Sequence, residues 1–389
     1  MILSQLQSAD GVQAYIQEEQ AYGQGSIAIV SFLKTFFRFR TENAWTMLQT
    51  YGCDSTPALD LLCPALVDYD LWLGDSDHDH GRTRSHLSDQ LAVMAEISLA
   101  TEGRVKAMAP FNPLRAACVG GEEYLALSRD AIDRYGCVGF KLYPPMGFSA
   151  TGNASSEAAS IPIPSCGKGT SKVGRARLDE VLGHFFDYCS ENDVPVMAHA
   201  APSNAAYDGA DKLAAPKFWR QLMGTHAESL LRGRSKVRVN LGHMGGDQDL
   251  DSRNDWRNEI VSLIKDFPDN VYADLGYYEH VLAGESDRRK LAMQLSALSS
   301  EEISSRVMYG SDWSMLAAQP KAYNYLSAMG QFLDRDLRIS QNAQRAILGE
   351  NAKKFFGFSR EAAAWKRIER FHDKGGRSMD ALMKSLAVF

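Results

Sequence analysis

Four short apolar runs in the second half of the chain each end on a polar residue. They are Val194-Pro-Val-Met-Ala-His199, Val237-Arg-Val-Asn-Leu-Gly-His243, Asn270-Val-Tyr-Ala-Asp274 and Arg306-Val-Met-Tyr-Gly-Ser-Asp312. An apolar run this short and without alternation reads as a strand covered on both faces. Stretches with helical spacing separate the runs, over 176–191, 216–231, 255–267 and 286–304, with two more at 318–333 and 340–355. Strand, polar tip and helix in repetition predict a parallel α/β barrel. Chemistry in such a barrel gathers in the loops at the C-terminal ends of the strands.

Three earlier segments extend the pattern. Residues 59–70 read as a strand followed by a helix over 85–100, and 104–112 as a strand followed by a helix over 122–134. Gly136-Cys-Val-Gly-Phe-Lys141-Leu-Tyr-Pro144 is a third strand, and the aperiodic Gly, Ser, Ala and Pro-rich loop 146–174 after it reads as a lid over the strand tips. The count is seven strand slots, where a closed TIM-type (β/α)8 barrel needs eight. Residues 1–52 read as helical throughout, so the barrel is expected to be incomplete at its N-terminal end. The boundaries that follow are 1–52 for the helical segment, 53–357 for the barrel and 358–389 for a charged helical tail.

Composition narrows the function. The 389 residues carry a formal net charge of −6 with scattered basic residues, which argues against nucleic acid or an anionic membrane as partner. The N-terminus lacks the charge and apolar pattern of a signal peptide, and 27–39 is too short and too charged to span a membrane. Six cysteines without a Cys-x-x-Cys pair argue against a disulfide framework. A cytoplasmic protein with a small-molecule substrate is the expectation. No glycine-rich nucleotide motif follows any strand.

One histidine beside an apolar run is ordinarily a core or loop residue. Two histidines and an aspartate at three tips of one barrel would converge, and imidazole with carboxylate suits Zn²⁺ or a related divalent ion. His199, His243 and Asp312 are therefore the candidate metal ligands, with Asp312 and His243 as candidate catalytic groups. Arg115 follows a strand tip and could hold a substrate carboxylate. Asn204, Tyr278, Glu279 and His280 lie in tip loops as further substrate-binding candidates.

Pro195-Val-Met-Ala-His199-Ala, Asn240-Leu-Gly-His243-Met-Gly-Gly246, Gly310-Ser-Asp312-Trp and Gly139-Phe-Lys141-Leu-Tyr-Pro-Pro145 closely resemble the strand-end motifs of the amidohydrolase superfamily. The resemblance is to its amidohydrolase-related branch, which includes aminocarboxymuconate semialdehyde decarboxylase-like enzymes, and runs from about residue 59 to 357. It implies that His199 is the strand-five metal ligand, and that His243 is a ligand or orients water or substrate. Asp312 would be the strand-eight aspartate that binds metal and takes a proton from bound water. Lys141 holds the position where some relatives carry a carboxylated lysine bridging two metals. The His-x-His of the family's first strand has no counterpart before residue 59. His78-Asp79-His80 spells it, but in a polar loop, and Asp68 or Asp70 could offer a carboxylate instead. Either the chain is shortened upstream or the barrel has lost ligands.

The resemblance implies a metal-dependent hydrolase with Zn²⁺ as its leading cofactor, acting on an amide, ester, lactone or C–C bond, in a chain that could form a homodimer. Decarboxylation of a small unsaturated acid is the enzymatic alternative. A non-catalytic barrel is the alternative from another class.

Overall fold

Six strands hydrogen-bond in chain order into one parallel sheet: β1 (Met108–Pro110), β2 (Gly139–Leu142), β3 (Val196–His199), β4 (Val239–Gly242), β5 (Val271–Asp274) and β6 (Val307–Met308). The computed structural model describes residues 43–44, 47–48, 59–69, 71, 87–119, 121–155, 158, 160–163, 173–225, 237–317, 319 and 321–387. The 59–69 segment adds a seventh parallel member through bridges Leu62↔Val105 and Ala65↔Met108. Its ladder includes Lys106 N–H to the Leu62 carbonyl at 2.9 Å and Met108 N–H to Pro64 at 2.9 Å. All seven strand slots are thus present. The 59–69 segment and β6 are the two ends of the sheet among the described residues, so the architecture is an open TIM-type barrel. Most of the 1–52 segment lies outside the described residues, as do Asp70 and His78-Asp79-His80.

Helices return the chain between strands: α1 (Leu87–Ala100), α2 (Gly121–Asp133), α3 (Arg175–Glu191), α4 (Pro216–Thr225), α5 (Asp255–Asp266) and α6 (Glu285–Gln294). Strand residues alternate between two surroundings, as the two-residue period of a strand requires. Phe140, Leu142, Val196, Ala198, Val239, Leu241, Val271 and Ala273 pack into the cluster shared with the helices. Met108, Tyr272 and Met308, with Met197, Cys63 and Ala65 beside them, fall in a second cluster together with Phe355, Phe356, Trp365, Ile368 and Leu382. The parity of this second set also carries Lys106, Lys141, His199, Asn240 and Asp274 along the same strands. Polar strand residues therefore face the barrel interior, and the register sets Lys141 beside Met197 beside Asn240, and His199 beside Gly242.

The tail is part of this packing. Helix α7 (Ala363–Gly375) buries Trp365, Ile368, Phe371 and His372, and the Phe371 ring lies where a side chain on Gly136, just ahead of β2, would sit. Helix α8 (Asp380–Ala387) brings the Leu382 side chain against Gly103, ahead of β1. Both contacts are at the end of the sheet opposite the polar tips.

The first part of the loop read as a lid is packed instead. Phe148, Ser149, Ala150 and Asn153 are buried, and Asp179 of α3 accepts from the backbone N–H groups of Asn153 and Ala154 and from the Asn153 amide. Residues 164–172 of that loop are outside the described set. Cys63, Cys137 and Cys189 are free thiols, whereas Cys118 is disulfide-bonded.

Candidate active site

The strand tips bring His199 and His243 together. His199 closes β3 and is buried, its ring centroid 4.6 Å from that of His243 and 5.0 Å from that of Tyr143. The Ala201 carbonyl accepts from His199 Nε2 at 2.9 Å, which leaves the lone pair on Nδ1. Burial, and then the neighbouring His243 and Lys141, push His199 well below the usual imidazole range, so it is neutral. His243 donates from Nδ1 to the Gly276 carbonyl at 2.9 Å, leaving its Nε2 lone pair free. A carbonyl on one ring nitrogen that fixes the other as acceptor is the usual arrangement behind a metal-ligating histidine.

Lys141 is buried in the sheet, and its Nζ has no hydrogen-bond partner among the described residues. Burial lowers its pKa, and Asp274 and Asp312 act in the opposite direction. Asp312 sits just past β6 with φ +48° and caps no backbone N–H with its carboxylate. Its negative charge also contributes to raising the pKa of Tyr69 and Tyr143, chiefly driven by burial, so both phenols stay protonated around it. The Tyr69 and Tyr143 rings meet edge to face at 5.8 Å. Lys141 Nζ, the Asp312 carboxylate and His243 Nε2 thus lie where the strands end, without a hydrogen-bond partner among the described residues. An ionisable group as buried as Lys141 is ordinarily paired.

Residues 106–358 match the amidohydrolase family. The chain belongs to that family. No curated protein matches the sequence. Among solved structures the fold is similar to 2,6-dihydroxybenzoate decarboxylase from Rhizobium, with 17% identity over 77% of this chain and 84% of that one and a TM-score of 0.45. It is also similar to 5-carboxyvanillate decarboxylase from Novosphingobium aromaticivorans with bound manganese, at 14% identity over 90% and 94% and a TM-score of 0.41. A third is an amidohydrolase from Burkholderia multivorans with bound HEPES, at 16% identity over 76% and 99% and a TM-score of 0.44. No residue role is carried over from any of the three.

As a metal centre, the described residues go part of the way. The donor chemistry of His199 Nδ1, His243 Nε2 and the Asp312 carboxylate suits a divalent ion, but among the described residues no group of three or more His, Cys, Asp or Glu is close enough to form a cage. The remaining candidates, Asp70, His78 and His80, lie outside the described residues.

The substrate-binding candidates are placed unequally. Arg115 donates to the buried Asp68 carboxylate at 2.8 Å, and the Tyr124 hydroxyl donates to the same oxygen at 3.0 Å. Tyr278 is fully buried, its hydroxyl donating to the His243 and Met244 carbonyls at 3.1 and 3.2 Å, which braces the turn after β4. Asn204 lies in the loop after β3, where its carbonyl is 3.5 Å from the Tyr143 hydroxyl.

Asp274 was visible as a strand tip, yet its role was not. Its Oδ1 accepts from the backbone N–H of His243 at 3.0 Å and of Gly276 at 2.9 Å, and its Oδ2 from the Asn240 amide at 2.7 Å. A Cβ on Gly276 or Gly310 would stand 2.9 or 3.1 Å from Oδ1, so these glycines make room for the carboxylate. Asp274 thereby holds His243 in its left-handed conformation, φ +65°. Asp274→Ala is expected to strand three buried donors and to cost on the order of 3 kcal/mol or more in urea unfolding. A loss below about 1 kcal/mol would show that the turn stands without it.

Proposed function

We propose that this amidohydrolase-family chain is a divalent-metal-dependent hydrolase of a small molecule, with Zn²⁺ as the first ion to test. The observation that carries this reading is the placement of Asp312, His243 Nε2 and Lys141 at the strand ends, with no partner for their reactive atoms among the described residues. His199, His243 and Asp312 would hold the ion. When bound, it would supply an acidified water and a polarised carbonyl.

The protein's own groups then divide the work. Asp312 is the proton acceptor during attack and returns the proton to the leaving group. His243, with Nδ1 committed to Gly276, keeps the Nε2 lone pair available at the reacting centre as a ligand or proton acceptor. Lys141 lies beside both acidic groups; its lowered pKa favours the neutral amine, the form that carboxylation requires if the lysine bridges two ions. Tyr69 and Tyr143, kept as phenols, supply ring faces and O–H donors at the same place. A barrel kept only for binding would gain nothing from leaving a buried lysine unpaired.

Elemental analysis of the purified full-length chain tests the reading. About one divalent ion per chain that survives dialysis is expected, falling at least tenfold in the His199→Ala, His243→Ala double variant. A folded chain with no bound metal would overturn it. Product analysis tests the hydrolytic part: uptake of ¹⁸O from labelled water into product supports hydrolysis, whereas release of CO₂ without such uptake would make the chain a decarboxylase.

A further inference from the structure

Two loops at the barrel mouth meet in a contact that the proposed chemistry does not use. Asp247 follows the Gly245-Gly246 turn beyond β4, and its carboxylate is 3% exposed. His280 lies in the 3₁₀ turn Glu279–Leu282 beyond β5. The Asp247 Oδ2 accepts from the His280 backbone N–H at 3.1 Å and from His280 Nδ1 at 2.9 Å. Both bonds hold the residue, and its Nε2 carries the lone pair without a partner among the described residues. The imidazole is 22% exposed, enough to reach solvent or a ligand at the mouth.

We propose that Asp247 and His280 form a second acid–base centre, which takes a proton from an acidic O–H group of the substrate as it enters the barrel mouth. The proposal rests on the reading of that mouth as an active site. The O–H bond breaks with its electron pair left on oxygen, Nε2 gains the proton, and the imidazolium later releases it to bulk water. Asp247 holds the tautomer and stabilises the imidazolium, the division of labour of a carboxylate–histidine pair. The substrate class this selects carries an acidic hydroxyl, such as a phenol or enol, besides the bond that is cleaved.

The surroundings are built to support the pair. Arg257, buried behind Asp247, donates to the Gly246 carbonyl and to Gln294, and lies over the Tyr278 ring at 5.9 Å. It offsets part of the cost of burying the Asp247 carboxylate, whose pKa burial raises while His280 and Arg257 lower it. Glu279 accepts from the Tyr277 hydroxyl at 3.4 Å, and Gln319 donates to that same hydroxyl at 2.9 Å. Asp247, Arg257, Tyr277, Tyr278 and Glu279 are the ionisable groups around His280 among the described residues, and His280 and Arg257 act to lower the Asp247 pKa against its burial.

Acylation by diethyl pyrocarbonate, mapped by mass spectrometry on the full chain, reads the state of Nε2 directly. His184 is the internal reference, because it is exposed on α3 and makes no hydrogen bond among the described residues. His280 is expected to label at least as fast as His184 despite its smaller exposure, and about tenfold more slowly in Asp247→Asn, which keeps an acceptor but removes the charge. Slower labelling than His184, or indifference to Asp247→Asn, would overturn the pair as an activated imidazole. His280→Gln should lower kcat at least tenfold and remove one limb of the pH–rate profile, with metal content unchanged. An unaltered profile would overturn its proton transfer. Loss of metal-dependent turnover as a whole is read separately, from Asp312→Asn, so failure of the active-site reading and failure of the dyad give different results.

Discussion

Asp312→Asn is expected to lower kcat by about 10³-fold, within the range for losing a positioned acid–base group, while thermal stability stays close to the parent. The expectation rests on how little the fold asks of this carboxylate. It caps no N–H of the helix it precedes, and the turn it occupies has φ +48°. Asparagine is among the few residues that tolerate this left-handed conformation, so the variant changes the charge and leaves the backbone where it was. The same change removes one of the two acidic groups that raise the Lys141 pKa, so the lysine shifts further toward its neutral amine. kcat at saturating substrate, with a melting curve beside it, checks both halves. Full turnover in a stably folded variant would take Asp312 out of the reaction, and lost turnover with lost folding would show that the carboxylate has a structural partner.

The strand tips were legible because each breaks a local rule. A strand covered on both faces has no use for a polar side chain, so His199, Asp274 and Asp312 stood out against their apolar runs, and the seven parallel slots followed from the same pattern. What a tip does once placed was not legible. Asp274 takes its meaning from Asn240, His243 and Gly276, and Asp247 from His280, 33 positions away, which no period or spacing connects. Arg115 had the opposite fate: a residue type suited to a carboxylate found one inside the protein, on Asp68. The loop after β2 lacks periodicity because side-chain contacts to Asp179 order it in place of a helix or strand ladder. The tail's amphipathic pattern was present in the sequence, but not the surface it covers.

That surface gives the second large effect. Lys106 is fully buried in the barrel interior, and its Nζ meets His372 Nε2 of α7 at 2.7 Å, with the Phe371 ring 4.9 Å away. Burial lowers Lys106 from its ordinary value to about 7 and His372 to about 4. Both groups are held toward their neutral forms, and each depressed cationic group destabilises the fold as pH falls. Between about pH 7 and 10.5 the unfolded lysine binds more protons than the folded one, so its contribution to stability rises with pH through that window. His372 adds a further loss from about pH 6.5 down to 4. Cys63 and Cys137, raised by burial to about 12, work the other way once unfolded thiols ionise near 9, so the clean interval is about pH 7 to 8.5. The double variant Lys106→Met, His372→Leu exchanges the polar pair for apolar groups of similar size and is expected to gain about 1–4 kcal/mol at pH 7. That gain should shrink toward pH 8.5, because the parent recovers stability there: its folded lysine is already neutral, and removing the proton that the unfolded lysine still holds costs less as pH rises. Urea unfolding of both proteins across the interval measures the difference, and a constant gap would mean that Lys106 stays protonated inside the fold. The single variant His372→Leu should be less stable than the parent, since it leaves the amine buried beneath the tail with nothing to accept from it.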